Sequence, residues 1–170
     1  MLSANFIIQA AFSFLLLLSE VPKDKYKVYF FLAPDCPISQ QYTKEINRLN
    51  EQYKDIIDFT IVFEMEETGK AGEEVSAFVN KYKMTPSVIF DKDQKLAIQL
   101  KAKVTPEAFL LNPKGEILYH GAIDNWYYAL GKNRIDVTEH YLENAILNIK
   151  ENQPVKKPYT KAIGCFIQIQ

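Results

Sequence analysis

Residues 30–39 have the sequence FFLAPDCPIS, and this stretch decides the fold. The run from Tyr26 to Leu32 is rich in aromatic and β-branched residues, which predicts a central strand covered on both faces. Pro37 is well tolerated in the first turn of a helix, so we expect a helix to follow with Cys36 at its N-terminus. The apolar stripe of this helix recurs at steps of four and three and comprises Ile38, Tyr42, Ile46, Leu49 and Tyr53.

The chain continues as an alternation of strand and helix. In order, we expect a strand at 56–63, a helix around 75–82, an extended piece at 86–90, a helix at 96–100, and a hairpin of 107–111 and 116–120. A last helix is expected to begin near Asp136, because Asp136 and Glu139 have the spacing of a capping box. The residues after it form an extended tail.

Composition limits the classes of function. The chain has 170 residues, of which 48% are hydrophobic, which suffices for one well-filled core. Basic residues number 20 against 21 acidic ones, leaving a formal net charge of -1 and no basic stripe. We therefore expect no nucleic-acid partner.

The N-terminus predicts export. The segment from Phe6 to Leu18 carries no charge and is followed at once by charged residues, as in a signal peptide. It is too short to span a bilayer comfortably, so no stable membrane span is expected after cleavage. The alternative is a buried first strand or helix. The predicted organisation is a signal peptide at 1–19, a domain at 20–152 and a tail at 153–170, in an extracytoplasmic protein, periplasmic or secreted.

The chain has only two cysteines, Cys36 and Cys165. A helix N-terminus offers unpaired N–H groups and a partial positive charge, both of which favour a thiolate at Cys36. The neighbouring Asp35 opposes this, because a negative charge raises the pKa of a thiol. We expect modest activation of Cys36.

The order of elements and several motifs resemble the thioredoxin fold. FFLAPDCPIS is similar to the thioredoxin active-site strand and loop, with Cys36 in place of the first cysteine of C-x-x-C and Ser39 in place of the second. Three further stretches resemble the redoxin branch, relatives of alkyl hydroperoxide reductase and thiol-specific antioxidant proteins. They are VTPEAF at 104–109, GEILYHGAID at 115–124 and the closing Gly164-Cys165. The resemblance implies an α/β fold, a three-layer α/β/α sandwich with a mixed central sheet.

The resemblance also implies roles for individual residues. Cys36 would be the catalytic nucleophile and Cys165 a second catalytic thiol carried by the tail. Thr105 and Pro106 are similar to the cis-proline element that lies opposite the reactive sulfur, where exposed backbone can pair with a bound peptide. Pro34 and Ser39 would help to position the substrate. Thr85-Pro86 also enters a strand, but we prefer Pro106 because a complete hairpin follows it.

Three functions are compatible with these features. The first is a thiol-disulfide oxidoreductase that acts on a disulfide-bearing protein or a small-molecule thiol substrate and receives electrons from a donor the sequence does not identify. The second is a peroxiredoxin-like peroxidase, although Ala33 and Tyr29 hold the Thr/Ser and Pro positions of the peroxiredoxin signature. The third is a binding module in which a permanent Cys36–Cys165 disulfide stabilises the fold by about 4 to 5 kcal/mol.

We expect no cofactor, because cysteine sulfur would carry the chemistry. His120 and His140 are the only histidines, and one lies on a predicted strand and the other on a predicted helix. They give little support for a metal site. The aromatic residues at 126–128 are interpreted mainly as packing beneath a loop, with a partner-binding surface as the alternative.

Overall fold

A computed structural model describes residues 24–168 of the chain. The expected signal peptide at 1–19 lies outside the described residues. The helices are α1 (Pro37–Tyr53), α2 (Gly69–Tyr82), α3 (Lys95–Leu100) and α4 (Tyr141–Lys150). The strands are β1 (Tyr26–Phe31), β2 (Ile57–Phe63), β3 (Ser87–Phe90), β4 (Val104–Thr105), β5 (Glu107–Leu111), β6 (Ile117–Gly121), β7 (Tyr127–Ala129), β8 (Lys132–Asn133) and β9 (Cys165–Phe166).

A mixed five-stranded sheet in the order β3-β2-β1-β5-β6 forms the centre of the molecule. The first three strands along the chain run parallel, and β5 is antiparallel to both β1 and β6. Parallel strands need a crossover connection, which α1 and α2 provide. Because β1 is the middle strand, the loop that follows it opens at the centre of one sheet edge.

Helices cover both faces of the sheet. The larger core packs α1, α2 and α4 against one face, where Phe30, Ile46 and Leu142 are fully buried. The smaller core lies beneath α3 and includes Phe31 and Phe109. Phe30 and Phe31 point to opposite faces because successive strand residues alternate, which explains the continuous apolar run. The predicted three-layer α/β fold is confirmed.

The last helix begins later than the sequence predicts. Its N-terminal cap is His140, so the expected start near Asp136 is wrong. The segment just before the helix is bonded to the side chain of Asn125. Asn125 Oδ1 accepts hydrogen bonds from the backbone N–H groups of Thr138 (3.0 Å) and Glu139 (3.2 Å). These N–H groups therefore already have partners outside the helix.

The segment after Asp124 contains a small hairpin, β7–β8, which the sequence analysis treated as a loop. Tyr127 is buried, and the Trp126 ring packs edge-on against Tyr42 with 5.7 Å between centroids. Tyr128 is exposed. Packing thus accounts for two of the three aromatic residues.

The tail returns across the sheet edge to the centre of the molecule. Thr160 is anchored beside β6: its N–H donates to His120 O at 3.1 Å, and its Oγ1 accepts from Ala122 N–H at 3.0 Å. Beyond it, β9 pairs with β4 in antiparallel orientation. Among the described residues, no helix is long and apolar enough to cross a membrane.

Candidate active site

Cys36 lies in the turn between β1 and α1. Its N–H donates to Ala33 O at 3.2 Å, and its carbonyl accepts the first hydrogen bond of the helix from Gln40 N–H at 3.0 Å. The Cys36 backbone is extended, and Pro37 is the first helical residue, as the sequence predicts. The sulfur therefore stands at the positive end of a 17-residue helix.

Two hydrogen bonds fix the loop that carries Cys36. Ser39 is 0% exposed, and its Oγ accepts from Ala33 N–H at 3.3 Å. The carbonyl of Pro34 accepts from Gln40 Nε2 at 2.8 Å. Ser39 is thus enclosed and bonded to the loop backbone, whereas Pro34 is partly exposed at the loop surface.

Thr105 and Pro106 lie directly opposite the sulfur. The Thr105–Pro106 peptide bond is cis, at the position preferred from the sequence over Pro86. The Cys36 S–H donates to the backbone carbonyl of Thr105 at 3.1 Å. Two segments separated by 69 residues are thus brought into contact at one atom pair.

The tail completes the site from the other side of Thr105. In the β4–β9 pair, Thr105 is opposite Cys165 and Val104 is opposite Phe166. A Cβ atom at Gly164 would lie 2.2 Å from the Thr105 carbonyl oxygen, so the tail approaches this closely only because residue 164 has no side chain. Both cysteines are free thiols in this structure.

Hydrogen bonding makes Cys36 the more acidic of the two thiols. Burial raises the pKa of Cys36, but hydrogen bonds from the Cys165 thiol and from the backbone and side chain of Ser39 outweigh burial, and the pKa is lowered overall. The neutral thiol donates to Thr105 instead. When the Cys36 thiol ionises, it gives up its hydrogen bond to Thr105, which favours the neutral form, and accepts several hydrogen bonds that favour the thiolate.

Cys165 holds its proton more firmly. Burial raises the pKa of Cys165 to about 12, with further contributions from the hydrogen bond and charge of Cys36 and from the charge of Asp35. The sequence analysis expected Asp35 to oppose ionisation at Cys36, whereas here its charge acts on Cys165. The pair thus has one thiol suited to attack and one suited to keep a proton.

Tyr42, Asp124 and Tyr127 are buried polar side chains to which the sequence analysis gave no part in the site. Tyr42 donates its hydroxyl to Asp124 Oδ1 at 2.5 Å, and burial raises the pKa of both groups. Burial, and after it the charge of Cys36, raise the pKa of Tyr127. Tyr42 was predicted only as part of the apolar stripe, and no sequence signal marks Asp124 as its partner.

Glu107 supports the strand that faces Cys36. It follows Pro106 directly, is buried, and accepts at Oε2 from the N–H groups of Lys103 (2.8 Å) and Val104 (3.5 Å). Its side chain thereby fixes the course of β4. The sequence analysis assigned Glu107 to a strand and gave it no role in the site.

The two arginines have partners elsewhere. Arg48 joins α1 to α4 by binding Glu45 and Glu143 at 2.6 Å each, and Arg134 donates to the carbonyl of Asn125 at 2.6 Å. Within the part of the chain that the structure describes, Glu45, His140 and Glu143 bring ligand atoms within 4.8 Å of one another. Both carboxylates already neutralise Arg48, so this group does not fit a metal ion well.

Residues 15–120 match the sequence model of the AhpC/TSA family, and this range covers more than half of the chain. The chain belongs to the AhpC/TSA family. The matched range includes Cys36 and the Thr105–Pro106 bond and ends before Gly164 and Cys165. The AhpC/TSA match therefore supports the loop and the facing strand, while the tail is known here from its geometry alone.

Solved structures similar to this AhpC/TSA-family chain share its fold. An uncharacterized conserved protein from Geobacillus kaustophilus is 21% identical, with a TM-score of 0.74 over 90% of this chain and 82% of that one. A hypothetical protein from Sinorhizobium meliloti 1021 is 22% identical, with a TM-score of 0.73 over 88% and 82%. StoA from Bacillus subtilis is 21% identical, with a TM-score of 0.51 over 58% and 73%. Comparison with curated protein sequences found none that matches the chain.

Proposed function

We propose that the protein is a thiol-disulfide oxidoreductase in which Cys36 is the nucleophile and Cys165 the resolving thiol. The observation that carries this proposal is the position of the Cys36 sulfur, which stands at a helix N-terminus and donates to the carbonyl of Thr105, the residue that pairs with Cys165. The substrate would be a disulfide in a protein or a small molecule. The similarity to StoA concerns the fold alone.

The reaction has two exchange steps. The Cys36 thiolate attacks one sulfur of the substrate disulfide; that S–S bond breaks, and the other substrate sulfur leaves as a thiolate. Cys165 then gives up its proton and attacks the Cys36 sulfur, so the first substrate sulfur leaves as well. The substrate has gained two electrons and two protons, and a Cys36–Cys165 disulfide has formed. A dithiol reductant returns this disulfide to the free thiols.

The second step is assisted by the loss of the Cys36 charge. Burial is the main reason for the raised pKa of Cys165, but the hydrogen bond and charge of Cys36 add to it. Both of these contributions end when the Cys36 sulfur enters a mixed disulfide. Cys165 therefore becomes easier to ionise at the stage where its thiolate is needed.

The test is turnover of insulin disulfides with a dithiol reductant as electron donor. Cys36→Ser is expected to abolish turnover, because the nucleophile is removed. Cys165→Ser is expected to accumulate a mixed disulfide between Cys36 and the substrate, visible by mass spectrometry under non-reducing conditions. A Cys36→Ser chain that keeps wild-type turnover contradicts the proposal.

A second candidate function is peroxidase activity, which the AhpC/TSA family match favours. The Cys36 thiolate would attack one peroxide oxygen and release the alcohol or water, and the sulfenic acid would condense with Cys165 with loss of water. Arg48 is paired with two glutamates and Arg134 donates to the Asn125 carbonyl, so neither is free to support the thiolate with its charge. Faster turnover of hydrogen peroxide than of disulfides selects this candidate.

A permanent disulfide is the remaining alternative. A Cys36–Cys165 reduction potential well below about -300 mV, without turnover of either substrate, identifies a structural disulfide in a binding module. We also propose that the chain is exported, with residues 1–19 cleaved, residues 20–152 forming the thioredoxin-like domain and residues 153–170 the tail that carries Cys165. N-terminal sequencing of the protein secreted by an expressing cell tests the cleavage.

A further inference from the structure

Residues 161–168, named here the cover segment, lie over the reactive thiol. Cys36 is 1% exposed, and Cys165 within this segment lies opposite Thr105 in the β4–β9 pair. The main chain of the segment is paired with β4, directly beside the Thr105 carbonyl that receives the Cys36 S–H. An incoming disulfide therefore meets the cover segment before it meets Cys36.

The cover segment occupies a backbone edge that an external strand could use. An extended peptide can bind a sheet by pairing with an exposed strand edge through its main chain. In this structure β9 uses the Val104–Thr105 edge in that way, and the register places Cys165 opposite Thr105. Cys165 thus stands where the cysteine of a bound partner strand would stand.

The cover segment is held by contacts that leave its side chains partly exposed. Ile163, Cys165 and Ile167 pack against the two cores without being fully buried. Gln168 O accepts from Gln94 Nε2 at 2.8 Å. Ile167 N–H donates to Lys103 O at 2.9 Å, and β9 itself has only two residues. The side chain of Phe166 is 79% exposed and adds little packing. Segments with few buried apolar contacts open locally at low free-energy cost, without unfolding the rest of the chain.

Thr160 is built to remain in place when the cover segment opens. Its side chain is buried, its Oγ1 bonds to the Tyr119 hydroxyl at 2.5 Å, and a Cβ at Gly121 would lie 2.0 Å from its carbonyl oxygen. This buried anchor just before the segment contrasts with the partly or fully exposed side chains beyond it. The hinge therefore falls between Thr160 and Gly164.

We infer that the cover segment determines which disulfides react: docked β9 shields Cys36, and an extended, cysteine-bearing segment of a partner protein reaches it by displacing β9 from the Val104–Thr105 edge. This inference rests on the proposed function of Cys36 as a nucleophile. After the first exchange, Cys36 is bonded to the partner's sulfur. Return of β9 displaces the partner strand and brings Cys165 to attack that bond, releasing the partner as a thiol.

The first test measures access to Cys36. In full-length chains carrying Cys165→Ser, iodoacetamide labels only Cys36, with formation of a C–S bond and loss of iodide. Adding Gly164→Ala is expected to speed labelling about tenfold or more, because the new Cβ collides with the Thr105 carbonyl and undocks the segment. Gly115→Ala is the control for destabilisation as such: its φ of +84° strains an alanine, but no atom lies within 4 Å of the new Cβ and the turn is outside the cover segment, so labelling should stay unchanged.

A second variant guards against misfolding of the first. Ile167→Pro removes the N–H that donates to Lys103, and Ile167→Leu keeps it. Faster labelling in the proline variant alone supports the inference. Equal labelling rates in the glycine and proline variants and their controls overturn it.

The second test identifies what replaces β9. A synthetic extended peptide with one activated cysteine is joined to Cys36 of the Cys165→Ser chain, and hydrogen exchange is measured by mass spectrometry. Residues 161–168 are expected to lose protection, because the peptide takes their place beside β4. Lys103 and Val104 should keep theirs in either state, because their N–H groups donate to Glu107. Protection of 161–168 in the joined complex overturns the inference.

The two proposals fail in distinguishable ways. If Gly164→Ala speeds labelling but the wild-type chain turns over no disulfide, the shielding of Cys36 by the cover segment is supported and the oxidoreductase function is contradicted. If the wild-type chain turns over insulin disulfides and no variant changes the access to Cys36, the function stands and the shielding falls.

Discussion

The acidity of Cys36 depends on single hydrogen-bond donors. Replacing Cys165 by Ala removes the S–H donor that favours the Cys36 thiolate, so the pKa of Cys36 is expected to rise. The pH midpoint of iodoacetamide labelling should move to higher pH. Cys165→Ser is the control, because its hydroxyl still donates, and its midpoint should move less. Identical midpoints in all three chains contradict the assignment of Cys165 as a donor.

Individual residues of the site differ in how visible they are in the sequence. Cys36 follows a strand and precedes a proline that can open a helix, so its position was predictable from local patterns. The roles of Asp124 and Glu107 were not predictable from local patterns. Asp124 bonds to a residue far along the chain, and Glu107 bonds to backbone on the other side of a bend. Local periodicity contains no information about such contacts.

At the scale of elements, the ends of β2 and β3 bring two carboxylates together. Burial, followed by the charge of Asp91, raises the pKa of Glu64 to about 7. Between its ordinary value near 4.3 and 7, the unfolded chain loses this proton while the folded chain keeps it, so stability falls as pH rises.

Glu64→Gln is therefore expected to gain about 1 to 3 kcal/mol over the wild type at pH 8 and almost nothing at pH 4. Urea denaturation at the two pH values measures the difference. Glu67→Gln changes an exposed carboxylate in the same loop and should show no such pH dependence. A gain for Glu64→Gln that is equal at both pH values contradicts the shift.

The start of α4 depends on one side chain from the β6–β7 connection. Asn125→Ala leaves the N–H groups of Thr138 and Glu139 without their acceptor and is expected to lower the free energy of unfolding by about 2 to 3 kcal/mol. Asn133→Ala, which changes an exposed asparagine, is the control. Equal denaturation midpoints for the two variants contradict the role given to Asn125.

The elements with a clear repeat were predictable, and those held by distant side chains were not. The apolar stripe of α1 and the β5–β6 hairpin follow from spacing and turn residues. The β7–β8 hairpin has strands of three and two residues, too short for a pattern to form. The delayed start of α4 follows from Asn125, which competes with the helix for the same N–H groups.

At the scale of the whole molecule, a Cys36–Cys165 bond would cross-link almost the entire folded chain. Closing a loop of this length is expected to stabilise the oxidised protein by about 4 to 5 kcal/mol relative to the reduced protein. Denaturant unfolding with and without dithiothreitol measures this. Cys165→Ser should be insensitive to the reductant, and a wild type equally insensitive would contradict direct pairing of the two thiols.

The arrangement of the site depends on contacts between distant parts of the chain, which the sequence does not show. The resemblance to redoxins implied that Thr105 faces Cys36, and the structure places them 3.1 Å apart. The return path of the tail depends on Thr160 and on the close approach at Gly164, neither of which forms a pattern. What the tail does at the site was therefore left open by the sequence and remains a proposal.

The pairing of residue 105 with residue 165 has a consequence for synthesis of the protein. Translation proceeds from the N-terminus at about 5 to 20 residues per second, so the sheet strands up to residue 121 leave the ribosome seconds before Cys165 does. During that interval the chain has neither α4 nor β9, and Cys36 has no cover segment beside it. Oxidants and foreign thiols in the surrounding compartment then compete with the unfinished chain's own last strand.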